Sequence, residues 1–160
     1  VKTEQDRLAI VQGIENGILT TVGTDHAPHE LKVKIGPYFK CASGMPSVQF
    51  SLLALLDLWK RKEITLETIA KVTSENVADR FHIKNRGRIV EGYYADLAII
   101  DPNKRTLVTD ALIASKCKWS PFIGHSFSSS VVHTIVNGRL CVENGVLADA
   151  PVAMPLEFDR

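Results

Sequence analysis

Apolar positions recur at helical spacing from the start of the chain. Leu8, Val11 and Ile14 follow Thr3 and Asp6, a cap residue with an acidic first turn, and Gly17 closes the segment. The pattern then changes period. Ile18-Leu19-Thr20-Thr21-Val22 is short and nearly unbroken in its apolar or β-branched character, as in a strand covered on both faces. The predicted order is helix, tight turn, buried strand, with Asp25 just past the strand's C-terminal end. Residues 26 to 45 hold two prolines, Gly36, Gly44 and alternating lysines, and so read as a loop. A loop this long inside a compact domain is more often functional than idle. Pro46 suits a first helical turn, and the apolar run to Lys62 predicts a buried helix. Thr65 is placed to cap a second helix through about Val72, and Ser74 a third ending near Phe81.

After Lys84 the pattern turns to short β-rich runs between Gly, Pro and Asn: 88–90, 95–101, 104–108 and 131–136. Val136-Asn137-Gly138-Arg139 is a type I′ hairpin signal, and Asn144-Gly145 marks a second turn. The end of the chain, with Pro151 and Pro155, reads as an extended tail. This divides the chain into residues 1–84, a helix, strand, loop and helices; 85–147, mostly β; and a tail over 148–160.

Composition changes the picture by exclusion. The 160 residues are 45% hydrophobic and 23% charged, a globular balance with material for a core. The net charge of +1 and scattered basic residues give no footprint for nucleic acid. Lys60-Arg61-Lys62 ends an apolar helix, where it compensates the macrodipole. The run from Phe50 to Trp59 is far short of the ~20 residues of a membrane span and is broken by Asp57. Cys41, Cys117 and Cys141 are far apart and form no CxxC pair, which predicts a reducing, cytoplasmic location. The abrupt polar start without Met predicts that residue 1 is not the natural beginning.

Chemistry enters at Asp25-His26-Ala27-Pro28-His29. An Asp at the C-terminal mouth of a parallel strand is where (β/α)-barrel enzymes place reacting groups. A carboxylate there can ligate Zn²⁺ through oxygen and take a proton from water whose pKa a metal has lowered. Pro28 stiffens the turn between the two imidazoles. A lone Asp after a strand is as readily a turn residue, and a loop histidine is usually just solvated; the five-residue run before a long loop favours chemistry.

"TDHAPH" followed by "CASGMPSVQ" resembles the dihydroorotase family of the amidohydrolase superfamily. "TSENVADRF", "GRIVEGYYADLAIIDP", "SKCKWSPFIGH" and "TIVNGRLCVENG" are similar to that family's C-terminal part, in order, over about residues 2 to 147. The resemblance implies an α/β fold: the last strand of a (β/α)8 TIM-like barrel with its flanking helices and catalytic loop in 1–84, and the C-terminal strands of the small β-domain in 85–147. It implies that Asp25 is both a ligand of a binuclear Zn²⁺ centre and the carrier of a proton to and from the amide nitrogen. His29 would hold the substrate carboxylate, and the backbone of Ser43 and Gly44 the pyrimidine ring. His26 has no metal role in the pattern and would at most support Asp25. The implied reaction is the reversible cyclisation of N-carbamoyl-L-aspartate to dihydroorotate in pyrimidine synthesis.

The family pattern also needs a His-x-His pair, a bridging carboxylate and further histidines, and no His-x-His occurs in these residues. His82, His125 and His133 read as structural or solvated. One carboxylate does not hold two zinc ions, so the chain corresponds to the last quarter or third of such an enzyme. Alone it is expected to be inactive, with its zinc site unfilled. Its expected partners are a small-molecule substrate and the N-terminal part of the barrel, and a homo-oligomer is compatible with the sequence. A fragment of this kind should expose apolar surface unless a partner covers it. Two alternatives stand: a non-catalytic, dihydroorotase-like assembly module, and a cyclic amidohydrolase of hydantoinase or allantoinase type.

Overall fold

Thr3 and Asp6 start the first helix by exchanging bonds. Asp6 N–H donates to Thr3 Oγ1 at 3.1 Å, and Thr3 N–H to the Asp6 carboxylate at 2.9 Å. Helix α1 runs Glu4–Glu15, buries Val11 and Ile14, and ends at Asn16 with Gly17 at φ +72°. The computed structural model describes residues 1–148 and 153–159.

The segment expected as a buried strand, Ile18 to Val22, joins no ladder and bends at Ile18 and Leu19. Its polar groups turn to helices instead. Leu19 N–H donates to Gly13 O at 2.9 Å, Val22 N–H to Val72 O at 3.1 Å, and Asn76 Nδ2 to Thr20 O at 2.8 Å. Ile18 is 77% exposed, so it is not covered on both faces. The physical reason is that a strand exists only with a neighbour to take its N–H and C=O groups; no described strand runs beside it.

The expected helix from Pro46 begins later, as a 3-10 turn over Val48–Phe50 that passes into α2, Ser51–Lys60. Thr65 caps α3, Leu66–Ala70, by accepting from Thr68 N–H at 3.2 Å. Ser74 does not cap a third helix. The chain continues through a π turn, Lys71–Glu75, into α4, Asn76–Phe81, and stops at His82 in the left-handed region. Thr73 Oγ1 donates back to Ile69 O at 2.7 Å, and the wide turn absorbs the extra residue without freeing the helix end.

Residues 88–90 form no strand. Arg88 spends its guanidinium on Glu75 and Asp79 of the preceding helices, at 3.0 and 2.6 Å. Gly87 (φ +84°) approaches them so closely that a Cβ would lie 2.6 Å from Ala78 Cβ. The β-rich part forms a four-stranded antiparallel sheet in the order β1 (Leu97–Asp101), β4 (Ser130–Val136), β5 (Arg139–Glu143), β6 (Val146–Leu147), beside a two-stranded pair of β2 (Thr106–Leu107) and β3 (Ser126–Phe127). Asn137 and Gly138 both take positive φ between β4 and β5, and Asn144 and Gly145 do so between β5 and β6, as the hairpin signals predict. Asp96 fixes the first turn by accepting from Asn137 N–H at 2.7 Å. The tail bridges Phe158 to Ile83 in antiparallel fashion; residues 149–152 and 160 of the predicted tail, Pro151 among them, lie outside the described residues.

One core joins the helices to the segment that follows β1. Phe50, Leu53, Leu56 and Ile69 pack with Val108, Ile113 and Phe127, and the Phe50 and Phe127 rings stack at 5.9 Å. At its edge Asp57 accepts from Ser128 N–H at 2.9 Å and Ser128 Oγ at 2.6 Å, with His125 Nε2 3.3 Å from its other oxygen. Burial opposes the charged carboxylate, but the Ser128 bonds and His125 outweigh it and hold its pKa below the usual range. No helix among the described residues is long and apolar enough to cross a membrane.

Because the folded pKa of Asp57 is depressed, its contribution is present above the ordinary carboxylate pKa and is lost as pH falls through the folded value. Asp57→Ala is expected to cost about 1–3 kcal/mol near neutrality, by leaving the Ser128 donors unmatched. Denaturant unfolding at pH 7 and at successively lower pH should show the gap to wild type narrowing in acid. A gap independent of pH would contradict the assignment.

Candidate functional site

Two stretches twenty residues apart in sequence meet here. Residues 24–29 leave the preceding segment through Asp25, whose φ of +44° turns the chain; Asp is among the few residues that tolerate this region. Ala27 N–H then donates to Met45 O at 3.0 Å, and His26 and Met45 form an isolated parallel bridge. Ser47, which is buried, donates from Oγ to Thr24 O at 2.7 Å. Val48 N–H donates to His26 Nδ1 at 3.3 Å. His26, for which sequence reasoning found no metal role, is therefore a tie between the Asp25 turn and the start of α2.

Past Ala27, Pro28 directs the chain into a tight turn, with His29 N–H bonded to Ala27 O at 2.9 Å. Asp25, His26 and His29 are exposed, as are Ser43 and Gly44. Gly44 (φ +82°) packs directly on the Asp25–His29 run: a Cβ there would stand 2.5 Å from Ala27 Cβ. Only glycine fits both the backbone and the space. The structure thus brings Gly44 onto Ala27, between Asp25 and His29, with Ser43 next to it in the chain. The other histidines lie apart from this cluster. His82 ends α4, His125 faces Asp57, and His133 Nδ1 accepts from Asn144 N–H at 3.4 Å.

Residues 31–40 form two 3-10 turns, Leu31–Lys34 and Tyr38–Lys40. Beside the bridge lies a mostly apolar cleft of about 270 Å³, lined by His26, Pro46, Val48, Phe50, Ile113 and Trp119 among others. Asp25 is next in sequence to its His26 wall. Three side chains fasten this region, of which the sequence pointed only to Lys34, as a residue flanking the loop's mouth. Gln49 bridges Leu112 O and Ala114 N–H, at 2.6 and 3.0 Å. Trp119 Nε1 donates to His29 O at 2.7 Å, and Lys34 Nζ donates to the carbonyls of Ala42 and Gly44. The only signal for Trp119 was its place in the "WSPF" stretch; nothing local marks Gln49.

The donor chemistry bears on a metal. Asp25 offers an exposed carboxylate without a hydrogen bond among the described residues, which suits one oxygen ligand. No three His, Cys, Asp or Glu side chains among the described residues are grouped to hold an ion. These residues fit a share of a metal site and not a whole one.

Comparison with known proteins gives the fold its context. The chain is 36% identical over 139 residues to the dihydroorotases of Wolbachia sp. subsp. Brugia malayi and of Ehrlichia canis, covering 87% of this chain and 31% of each relative. It therefore spans about a third of the length of the curated relatives it matches. Among solved structures it resembles the L-hydantoinase (dihydropyrimidinase) from Arthrobacter aurescens, with TM-score 0.83 and 27% identity over 91% of this chain and 34% of that one. It also resembles the dihydropyrimidinase from Brevibacillus agri NCHU1002, with TM-score 0.85 and 24% identity over 92% and 33%. The fold is α/β, part of a TIM-like hydrolase barrel with the C-terminal strands of its small β-domain. The Amidohydrolase family matches residues 2–141, most of the length, and the chain belongs to that family.

Proposed function

We propose that this chain is the C-terminal segment of a dihydroorotase, in which residues 1–84 give the last barrel strand with its loop and helices and 85–147 the end of the small β-domain. The observation that carries the reading is the fastening of "TDHAPH" to "SGMPSV" by the His26–Met45 bridge and the Ser47–Thr24 bond. These stretches carry the resemblance to dihydroorotase, and the fold makes one surface of them. The remaining metal ligands and barrel strands then come from polypeptide outside these residues.

In this reading a binuclear Zn²⁺ centre, when bound, supplies polarisation of the scissile carbonyl and an acidified water. Asp25 contributes one ligand oxygen. In the hydrolytic direction its carboxylate takes the proton of the attacking water and delivers it to the ring nitrogen as the C–N bond breaks. In the synthetic direction it takes that proton from the ureido nitrogen and returns it to the departing water. His29 binds the substrate carboxylate. Ser43 and Gly44 meet the ring with main-chain groups, since the glycine lets the backbone come close. The substrate is a small molecule in the pyrimidine pathway, and the setting is the cytoplasm.

The likeness to the Arthrobacter L-hydantoinase favours a second reading, opening of another cyclic amide. Hydantoin lacks the carboxylate of dihydroorotate, so His29 separates the two. In the complete polypeptide, His29→Ala should raise KM for dihydroorotate about tenfold or more and leave any hydantoin turnover within about twofold. Equal effects on both substrates would favour the second reading.

Asp25→Asn in the complete polypeptide should lower kcat about 10³-fold with the circular dichroism and melting curve of wild type; wild-type turnover would end the proton-carrier role. The 160-residue chain alone, supplied with zinc and dihydroorotate, is expected to give no turnover, and product formation would overturn the shared-site reading. Gly44→Ala should cost about 1 kcal/mol or more in denaturant unfolding, because positive φ and the Ala27 contact both oppose a methyl group. An unchanged midpoint would show that the loop is not packed on residues 25–29.

A further inference from the structure

Lys34 is not used by the assignment above, and its surroundings are unusual for a lysine. It is partly buried, and no carboxylate among the described residues lies within ion-pair distance of it. Lys32, two residues earlier, pairs with Glu30. Lys34 instead directs its ammonium at two main-chain carbonyls, Ala42 O and, at 2.7 Å, Gly44 O. Its Nζ also stands 6.0 Å from the centre of the Trp119 ring. Trp119 in turn donates from Nε1 to His29 O at 2.7 Å. One cation and one indole thus touch both halves of the candidate substrate surface, the 42–44 main chain and the His29 turn.

The geometry of the peptide unit gives this arrangement a consequence. In a trans peptide the C=O and the following N–H point in opposite directions. Pinning Ala42 C=O towards Lys34 turns Ser43 N–H away from it, and pinning Gly44 C=O fixes the Gly44–Met45 plane. The Ser43–Gly44 peptide is held between these two. Neither Ser43 N–H nor Gly44 N–H makes a hydrogen bond among the described residues, so both donors remain open to a ligand. A charge-assisted bond to a carbonyl is stronger than a neutral one and suits fixing an exposed loop.

We propose that Lys34, set against Trp119, is a positioning residue that holds the Ser43–Gly44 main chain in its substrate-binding orientation and locks it to the His29 turn. It touches no substrate atom and acts through the two carbonyls. The proposal rests on the dihydroorotase reading for the identity of the substrate, and on geometry alone for the brace.

The test uses the complete polypeptide and compares wild type with Lys34→Met, Lys34→Arg, Trp119→Phe and the charge control Lys32→Met. Lys34→Met is expected to raise KM for dihydroorotate about tenfold or more while kcat stays within about threefold, because the chemistry at Asp25 is untouched. Lys34→Arg should recover part of that loss, and Trp119→Phe, which keeps the ring and loses the His29 bond, should raise KM several-fold. Lys32→Met should match wild type. In parallel, amide exchange at Ala42, whose N–H is bonded to Val33 O at 3.0 Å, should quicken in Lys34→Met, by about tenfold.

A KM within about twofold of wild type in both Lys34→Met and Trp119→Phe would overturn the brace, as would an equal rise in Lys32→Met, which would mean general attraction of an anionic substrate. If Lys34→Met does not fold, Trp119→Phe decides. Wild type without dihydroorotate turnover would sink the substrate reading, and unchanged exchange at Ala42 would then sink the brace independently.

Discussion

The structure around the candidate site depends on how a segment without a strand neighbour among the described residues satisfies its backbone. A barrel strand normally spends its N–H and C=O groups on the strands beside it. Here Val22 turns to the helix carbonyl of Val72, Thr20 O receives Asn76, and Thr24 O receives Ser47. Side chains and helix ends hold the segment's path, and that path brings Asp25 to the beginning of the long loop. The turn at Asp25 then follows from a positive φ that few residues other than glycine accept.

From that fixed path the loop is built by contacts of increasing reach. The bonds from Ala27 and Val48 close residues 24–29 onto 45–48, Gly44 lies against Ala27 with no room for a side chain, and Lys34 gathers the carbonyls of Ala42 and Gly44. Trp119 and Gln49 reach across from opposite sides, so the segment after β1 becomes part of the same wall. The aromatic stack of Phe50 and Phe127 beneath supplies the apolar burial that fixes this wall in place. Asp57, bound to Ser128, ties the same two pieces at the edge of that core.

Much of the polar surface work therefore concerns backbone groups. Carboxylates and imidazoles carry reaction chemistry, but where they point is set by amide planes that glycine, proline and a single lysine orient. On the proposed function this suits a cyclic amide, since an amide ring presents donors and acceptors in one plane that fixed main-chain groups can match.

Local chemistry was written into the sequence. The Thr3 cap, the Thr65 cap and both Asn-Gly turns were legible because each depends on residues within four positions of one another. The run from Asp25 to His29 announced itself for the same reason. What the sequence could not decide was anything that needs a distant partner. Ile18 to Val22 has the composition of a buried strand, yet whether it forms a ladder depends on chain that lies elsewhere. Ser74 has the chemistry of a cap, yet tertiary packing carried the helix through it as a π turn. Arg88 sits in a β-rich run, yet Glu75 and Asp79 drew it to the helices. Lys34 and Trp119 are eighty-five residues apart, and only the folded chain could set one against the other, because contacts over such separations are chosen by the shape of the whole core and not by local preference.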